Sequence, residues 1–67
     1  MDIGEVVKQT GVSASALRFY EEKGLIQSSG RIGLRRQYAE SIIERLGLIA
    51  LARSVGFSLE DIALMFR

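Results

Sequence analysis

Sixty-seven residues with a net charge of +1 and neither cysteine nor histidine make one small domain, long enough to bury only roughly 60% of its unfolded surface. The missing residue types exclude disulfide staples, thiolate zinc sites and Cys/His nucleophile pairs, and no apolar run is longer than that of Leu48 to Ala52, far too short to span a bilayer. With Asp2 and Glu5 near its start and no apolar leader, the chain reads as a cytoplasmic protein without a membrane partner.

The stretch DIGEVVKQTG predicts a first helix, with Asp2 and Glu5 at capping-box spacing and Ile3, Val6 and Val7 on one face. Gly11 supplies its stop in a left-handed conformation. Ser13 is the N-cap of a second helix, Val12 and Leu17 have the spacing of a hydrophobic staple, and Gly24 closes the helix after Lys23. A link of only Gly11 and Val12 is too tight for parallel packing. A short glycine-containing turn with apolar Val6, Val12 and Leu17 around it is the pattern of a helix-turn-helix, the alternative being a plain pair of core helices.

LIQSSGRIGLRRQY changes character, because Ser28, Ser29, Gly30 and Gly33 break any helix. Leu25-Ile26 and the Ile32, Leu34 and Tyr38 positions fit short extended pieces, which predicts a small hairpin with its loop near Ser28 to Gly30 and the arginines on its second arm. A long helix follows from about Ala39 to Val55, with Ile42, Leu46, Ile49 and Arg53 along one face and Gly56 at its end. The last helix opens at Ser58, with Asp61 at capping-box spacing, Phe57 and Ile62 as a staple, and Leu59, Ile62, Ala63 and Phe66 as its buried stripe. Leu48, Leu51, Leu64 and Met65 are left off both stripes.

Charge is uneven where the total is not. Arg31, Arg35 and Arg36 crowd into six positions with no acid between them, as on a phosphate-contacting edge or a solvated loop. The second helix suits DNA: Ser13, Ala14 and Ser15 are small enough to let backbone approach a major groove, and free N–H groups at that end point toward phosphate. Arg18, one turn on, can reach guanine N7/O6 or a phosphate oxygen; the alternative is an intrahelical pair with Glu21 or Glu22. Phe19 can pack on sugar or help the hairpin dock, and Tyr20 can bury its ring while donating its hydroxyl to phosphate. Arg35 and Arg36 face opposite sides of a strand, so at least one should face DNA while the other clamps the hairpin to the domain. Tyr38 fits a core ring with a hydroxyl outlet better than a base-stacking platform. Arg53 and the turn ending in Ser58 offer a second phosphate clamp, or simply a helix cap. No catalytic group, metal site or cofactor is expected, since the serines and Tyr20 have no histidine base and the carboxylates sit at capping or helix-surface positions.

The strings IGEVVKQTGVSASALRFYEEKGLI, RRQY and IERLGLIALARSVGFSLEDI, in that order, closely resemble the N-terminal domain of MerR-family transcriptional regulators over nearly the whole chain. The resemblance implies a mainly α, winged helix-turn-helix of four helices with a small β-hairpin wing. Ser13 to Lys23 would be the recognition helix, the Gly30 to Tyr38 hairpin the first wing, and the turn before Ser58 the second wing. By carry-over, Arg18, Tyr20, Arg36 and Tyr38 fall on the family's DNA-contacting pattern, and Phe19 stands where tyrosine is more common. The implied partners are double-stranded promoter DNA, RNA polymerase indirectly, and a second copy joined through a dimerisation helix beyond Arg67; the implied location is the nucleoid. Rival readings are an excisionase-like protein that bends DNA, and a protein-interaction module working through Leu48, Leu51 and Met65.

Overall fold

The structure, a computed structural model, describes residues 1–66. The first helix, α1 (Ile3–Thr10), starts at Asp2, whose carboxylate accepts the Glu5 N–H at 3.0 Å, and turns Val6 fully inward. Gly11 closes it with φ +75°. The turn is then fixed by one side chain: the Thr10 hydroxyl donates to the Val6 carbonyl at 2.7 Å and accepts the Val12 N–H at 3.2 Å. Ser13 caps α2 (Ala14–Glu22) by accepting the Ala16 N–H at 3.1 Å, and Leu17 is buried between the two helices, with Val12 packed beside the same core. Beyond α2, Gly24 takes φ +78°, so that its own N–H reaches the Glu21 carbonyl and the Leu25 N–H reaches the Tyr20 carbonyl. That is a Schellman ending, and a side chain at Gly24 would strain it.

The hairpin lies further along than the residue pattern alone predicts. Leu25 and Ile26 are buried core residues rather than a strand, and the ladder forms between β1 (Gly30–Ile32) and β2 (Arg35–Gln37). Its tip is Gly33-Leu34, not Ser28 to Gly30. Gly33, with φ +61° at the first central position, meets the demand of a two-residue hairpin turn, whereas the Leu25-Ile26 apolar pair is worth more inside the core. The Gly30 to Tyr38 span implied by the family resemblance fits this ladder. The start of the chain runs antiparallel beside β2: Asp2 bridges to Gln37, the Met1 ammonium donates to the Tyr38 carbonyl at 2.8 Å, and the Tyr38 N–H donates to the Met1 carbonyl at 2.6 Å.

The long helix, α3 (Ile42–Ser54), begins at Ile42 rather than Ala39, after a turn in which the Ile42 N–H bonds to the Ala39 carbonyl. Ser41 precedes it in a helical conformation and makes no side-chain cap bond. Ile42, Leu46 and Ile49 are its buried stripe, as expected from their spacing. A second Schellman ending at Gly56 turns the chain into α4 (Leu59–Met65), where Ser58 and Asp61 form a full capping box. Ile62 is fully buried and Leu59, Ala63 and Phe66 pack against the core. Phe57 departs from expectation: it is 44% exposed and lines an open groove between α2 and the α3–α4 turn instead of closing a buried staple on Ile62. Arg45 of α3 ties the halves together, donating from Nε to the Leu25 carbonyl at 3.0 Å and lying 4.0 Å over the Phe66 ring.

The two serines that precede α3 and α4 therefore differ in a measurable way. Ser58→Ala is expected to cost about 1 kcal/mol, a common value for a lost N-cap, and to lower Tm by roughly 4–8 °C in a domain of this size. Ser41→Ala should leave Tm nearly unchanged. Equal shifts in thermal unfolding would contradict the capping assignment.

Candidate nucleic-acid interface

One face of α2 is left uncovered by the fold. Leu17 points into the core, while Ser15, Arg18 and Glu22 are exposed and Phe19 keeps 43% of its surface open. At the start of the helix the Ser13 and Ser15 hydroxyls lie 3.2 Å apart, and Ala14 is half-buried behind them. Ser13 covers only one of the first-turn donors, so the helix end keeps a partial positive charge beside these small side chains. Arg18 makes no ion pair among the described residues, so neither Glu21 nor Glu22 takes it. Tyr20 is half-buried against the core with its ring 6.5 Å from that of Phe19.

A groove of about 690 Å³ separates α2 from the α3–α4 turn, lined by Phe19, Lys23, Arg53, Phe57 and Ser58 among others. It brings together Phe19, Arg53 and Ser58, which lie far apart in the sequence. It also holds Lys23 and Phe57, which sequence reasoning treated as a helix end and a staple. The signal for Lys23 was available, since it follows Phe19 by four positions on the same helix face, and its ammonium lies 5.5 Å from the Phe19 ring centroid. Ser58 enters this groove with its polar atoms engaged: the hydroxyl accepts the Asp61 N–H at 3.1 Å, and its own N–H donates to the Asp61 carboxylate at 3.2 Å.

The three hairpin arginines separate. Arg35 and Arg36 do face opposite sides, but each meets a carboxylate of the domain: Arg35 lies 3.2 Å from Asp2 at the start of α1, and Arg36 lies 3.5 Å from Glu21 on α2. Arg31 is exposed and has no ion pair among the described residues. Tyr38, only 1% exposed, fills the core and donates its hydroxyl to Glu21 at 3.1 Å, which is the core placement with a polar outlet. Two ionisations are displaced. The Asp2 carboxyl is held below its ordinary 3.8, first by the Glu5 N–H and then by Arg35. The Tyr38 phenol is raised above its ordinary 10.0, first by burial and then by its hydrogen bond to the Glu21 carboxylate and the charge there.

Over residues 1–67 the chain matches the model described as MerR HTH family regulatory protein. It is 52% identical over 60 residues to the HTH-type transcriptional activator SoxR homolog of Chromobacterium violaceum, covering 90% of this chain and 40% of that protein. It is 44% identical over 62 residues to the HTH-type transcriptional regulator CueR of Salmonella typhi, covering 91% and 45% respectively. A probable heavy metal-dependent transcriptional regulator of Haemophilus influenzae is 45% identical over 64 residues, or 94% of this chain and 50% of that one. Among solved structures, HiNmlR, a MerR family regulator lacking the sensor domain and bound to promoter DNA, is similar with a TM-score of 0.81 and 29% identity over 97% of this chain and 54% of that chain. The chain thus spans half or less of the length of these curated relatives.

The raised Tyr38 pKa has a consequence for stability. Folding favours the protonated phenol, so its contribution is complete below pH 10 and is lost as pH rises through the folded-state value. Tyr38→Phe is expected to flatten the fall in stability as pH rises above the ordinary phenol value of 10.0, measured by urea unfolding. Identical alkaline slopes in the two proteins would show that the phenol does not ionise differently on folding.

Proposed function

The chain belongs to the MerR helix-turn-helix regulatory family, and on that premise we propose that residues 1–67 read promoter DNA for a transcription regulator by sequence-specific binding to the duplex. The observation that carries this reading is the open face of α2, where Arg18 and Phe19 stand uncovered on a helix fixed from behind by fully buried Leu17. A rigid helix with an unpaired arginine one turn from its N-terminus suits entry into a major groove, where a guanidinium bonds guanine N7 and O6 in bidentate fashion. The small Ser13, Ala14 and Ser15 let the helix end approach, and its free N–H groups favour a phosphate. Tyr20 contributes a hydroxyl to the backbone. Lys23 on the α2 side of the groove and Arg53 on its far side supply charge to the next phosphates while Phe19 packs on sugar. The DNA-bound structure of HiNmlR supports the placement of this fold on promoter DNA.

The reading extends to a second copy of the chain. Leu48 and Leu51 on α3 are 53% and 63% exposed, and Leu64 and Met65 on α4 are uncovered as well. Exposed apolar side chains on two helices of a small domain favour a partner surface, here a dimerisation helix of the whole regulator that joins two DNA-binding units on two half-sites. RNA polymerase would be affected indirectly, through the promoter. No helix among the described residues is long and apolar enough to cross a membrane, consistent with a regulator that works at the nucleoid in the cytoplasm.

Selecting a preferred site from a random duplex library and titrating it by fluorescence anisotropy tests the proposal. Arg18→Ala should weaken binding to the selected site by about 1–3 kcal/mol, the scale of one bidentate base contact, and relax preference at that position. Unchanged affinity, with the fold intact by circular dichroism, would remove α2 from the major groove.

A further inference from the structure

The strand register makes the two faces of the hairpin unequal. Directly opposed residues of an antiparallel pair share a face, so Arg31 lies beside Arg36 and Ile32 lies beside Arg35. The Arg31/Arg36 face is the one turned toward α2, because Arg36 meets Glu21 there and Tyr38, two residues on, sends its hydroxyl to the same carboxylate. The side chains of Arg36 and Glu21 are each only 25% exposed. The Nε of Arg36 is buried without a hydrogen-bond partner, 3.5 Å from the carboxylate. A guanidinium in this position is already neutralised and has little surface left for a phosphate. Arg31 is its opposite: it sits on a fully exposed strand, with no acid paired to it among the described residues.

Glu21 itself requires an explanation. A carboxylate on a helix that lies against DNA repels phosphate, so its presence there must serve something other than the contact. Two arginines opposed on one hairpin face also repel each other. Glu21 answers both: it offsets Arg36, accepts the Tyr38 hydroxyl, and so sets the position of the hairpin relative to α2.

We infer that Arg31 is the phosphate-contacting cation of the wing, that Arg36 is an internal strut, and that Glu21 is the positioning residue that holds the wing against the recognition helix. This rests on the DNA-binding reading and departs from the family resemblance, which puts Arg36 itself on the contact pattern.

The test is the dependence of affinity on salt, measured for the whole chain on a random-sequence duplex and on the selected site. Each phosphate neutralised adds about 0.9 to the slope of log affinity against log salt. Arg31→Ala should make the slope shallower by about 0.9, and Arg36→Ala should leave it unchanged. Arg36→Met, which keeps the aliphatic stem packed, repeats the second measurement if the alanine variant unfolds. Glu21→Gln retains an acceptor for the Tyr38 hydroxyl but releases Arg36. It should steepen the slope by up to about 0.9 and raise affinity for random duplex, while the preference for the selected site falls roughly tenfold as positioning is lost. Loss of the carboxylate's repulsion alone would strengthen binding to both duplexes alike and leave the preference unchanged. Equal loss of slope in the Arg31 and Arg36 variants, or no loss in Arg31→Ala, would overturn the assignment. A wild-type chain with no salt-dependent duplex binding would instead overturn the DNA-binding reading itself.

Discussion

Tyr38 is the residue on which the arrangement depends, because it is buried with three polar groups that must each find a partner. Its N–H and carbonyl pair with Met1, and its hydroxyl reaches Glu21 on α2. An unmatched buried polar group costs about 1–3 kcal/mol, so these bonds fix more than the tyrosine. β1 has no buried residue and each strand is three residues long, too little to hold a hairpin in water unaided. The hairpin hangs from Tyr38. Through it the start of the chain, the hairpin and α2 are tied together rather than left as three segments.

Features set by neighbours in the chain were legible in the sequence. Ser13 and Ser58 cap the helices they were expected to cap, Gly11 and Gly24 stop theirs, and Ile42, Leu46 and Ile49 line one buried stripe. Features set by distant residues were not. Leu25 and Ile26 look like a strand to a local pattern, and only the assembled core shows that they are worth more inside it. The partner of Arg35 lies 33 residues away at Asp2, and that of the Tyr38 hydroxyl lies 17 away at Glu21. No spacing rule reaches that far. The Gly30 to Tyr38 span implied by the family resemblance contains both observed strands, which no local pattern located.

The candidate site was half legible for the same reason. A run of three arginines reads as a single basic edge, yet two of the three meet carboxylates that the fold brings to them. Arg18, Lys23, Arg31 and Arg53 are among the cations that meet no acid in the described residues, and the fold brings Lys23 and Arg53 to one groove from distant parts of the chain. A domain of net charge +1 can thus carry cations free of any acid, while Arg35 and Arg36 are each paired with a carboxylate of the domain. The same folding that pairs Arg36 with Glu21 leaves Arg31 exposed, so the two arginines opposed on one hairpin face stand in different surroundings.

The central claim is that α2 enters the major groove of a specific duplex. Methylation interference tests it most directly, because methylating guanine N7 changes the major-groove edge and leaves the phosphates untouched. Selected duplex carrying N7-methylguanine within the site should be excluded from the bound fraction at a short cluster of positions, while methylation outside the site has no effect. Binding that ignores N7 methylation throughout, yet still weakens as salt rises, would mean that the surface holds only the phosphate backbone and that α2 reads no bases.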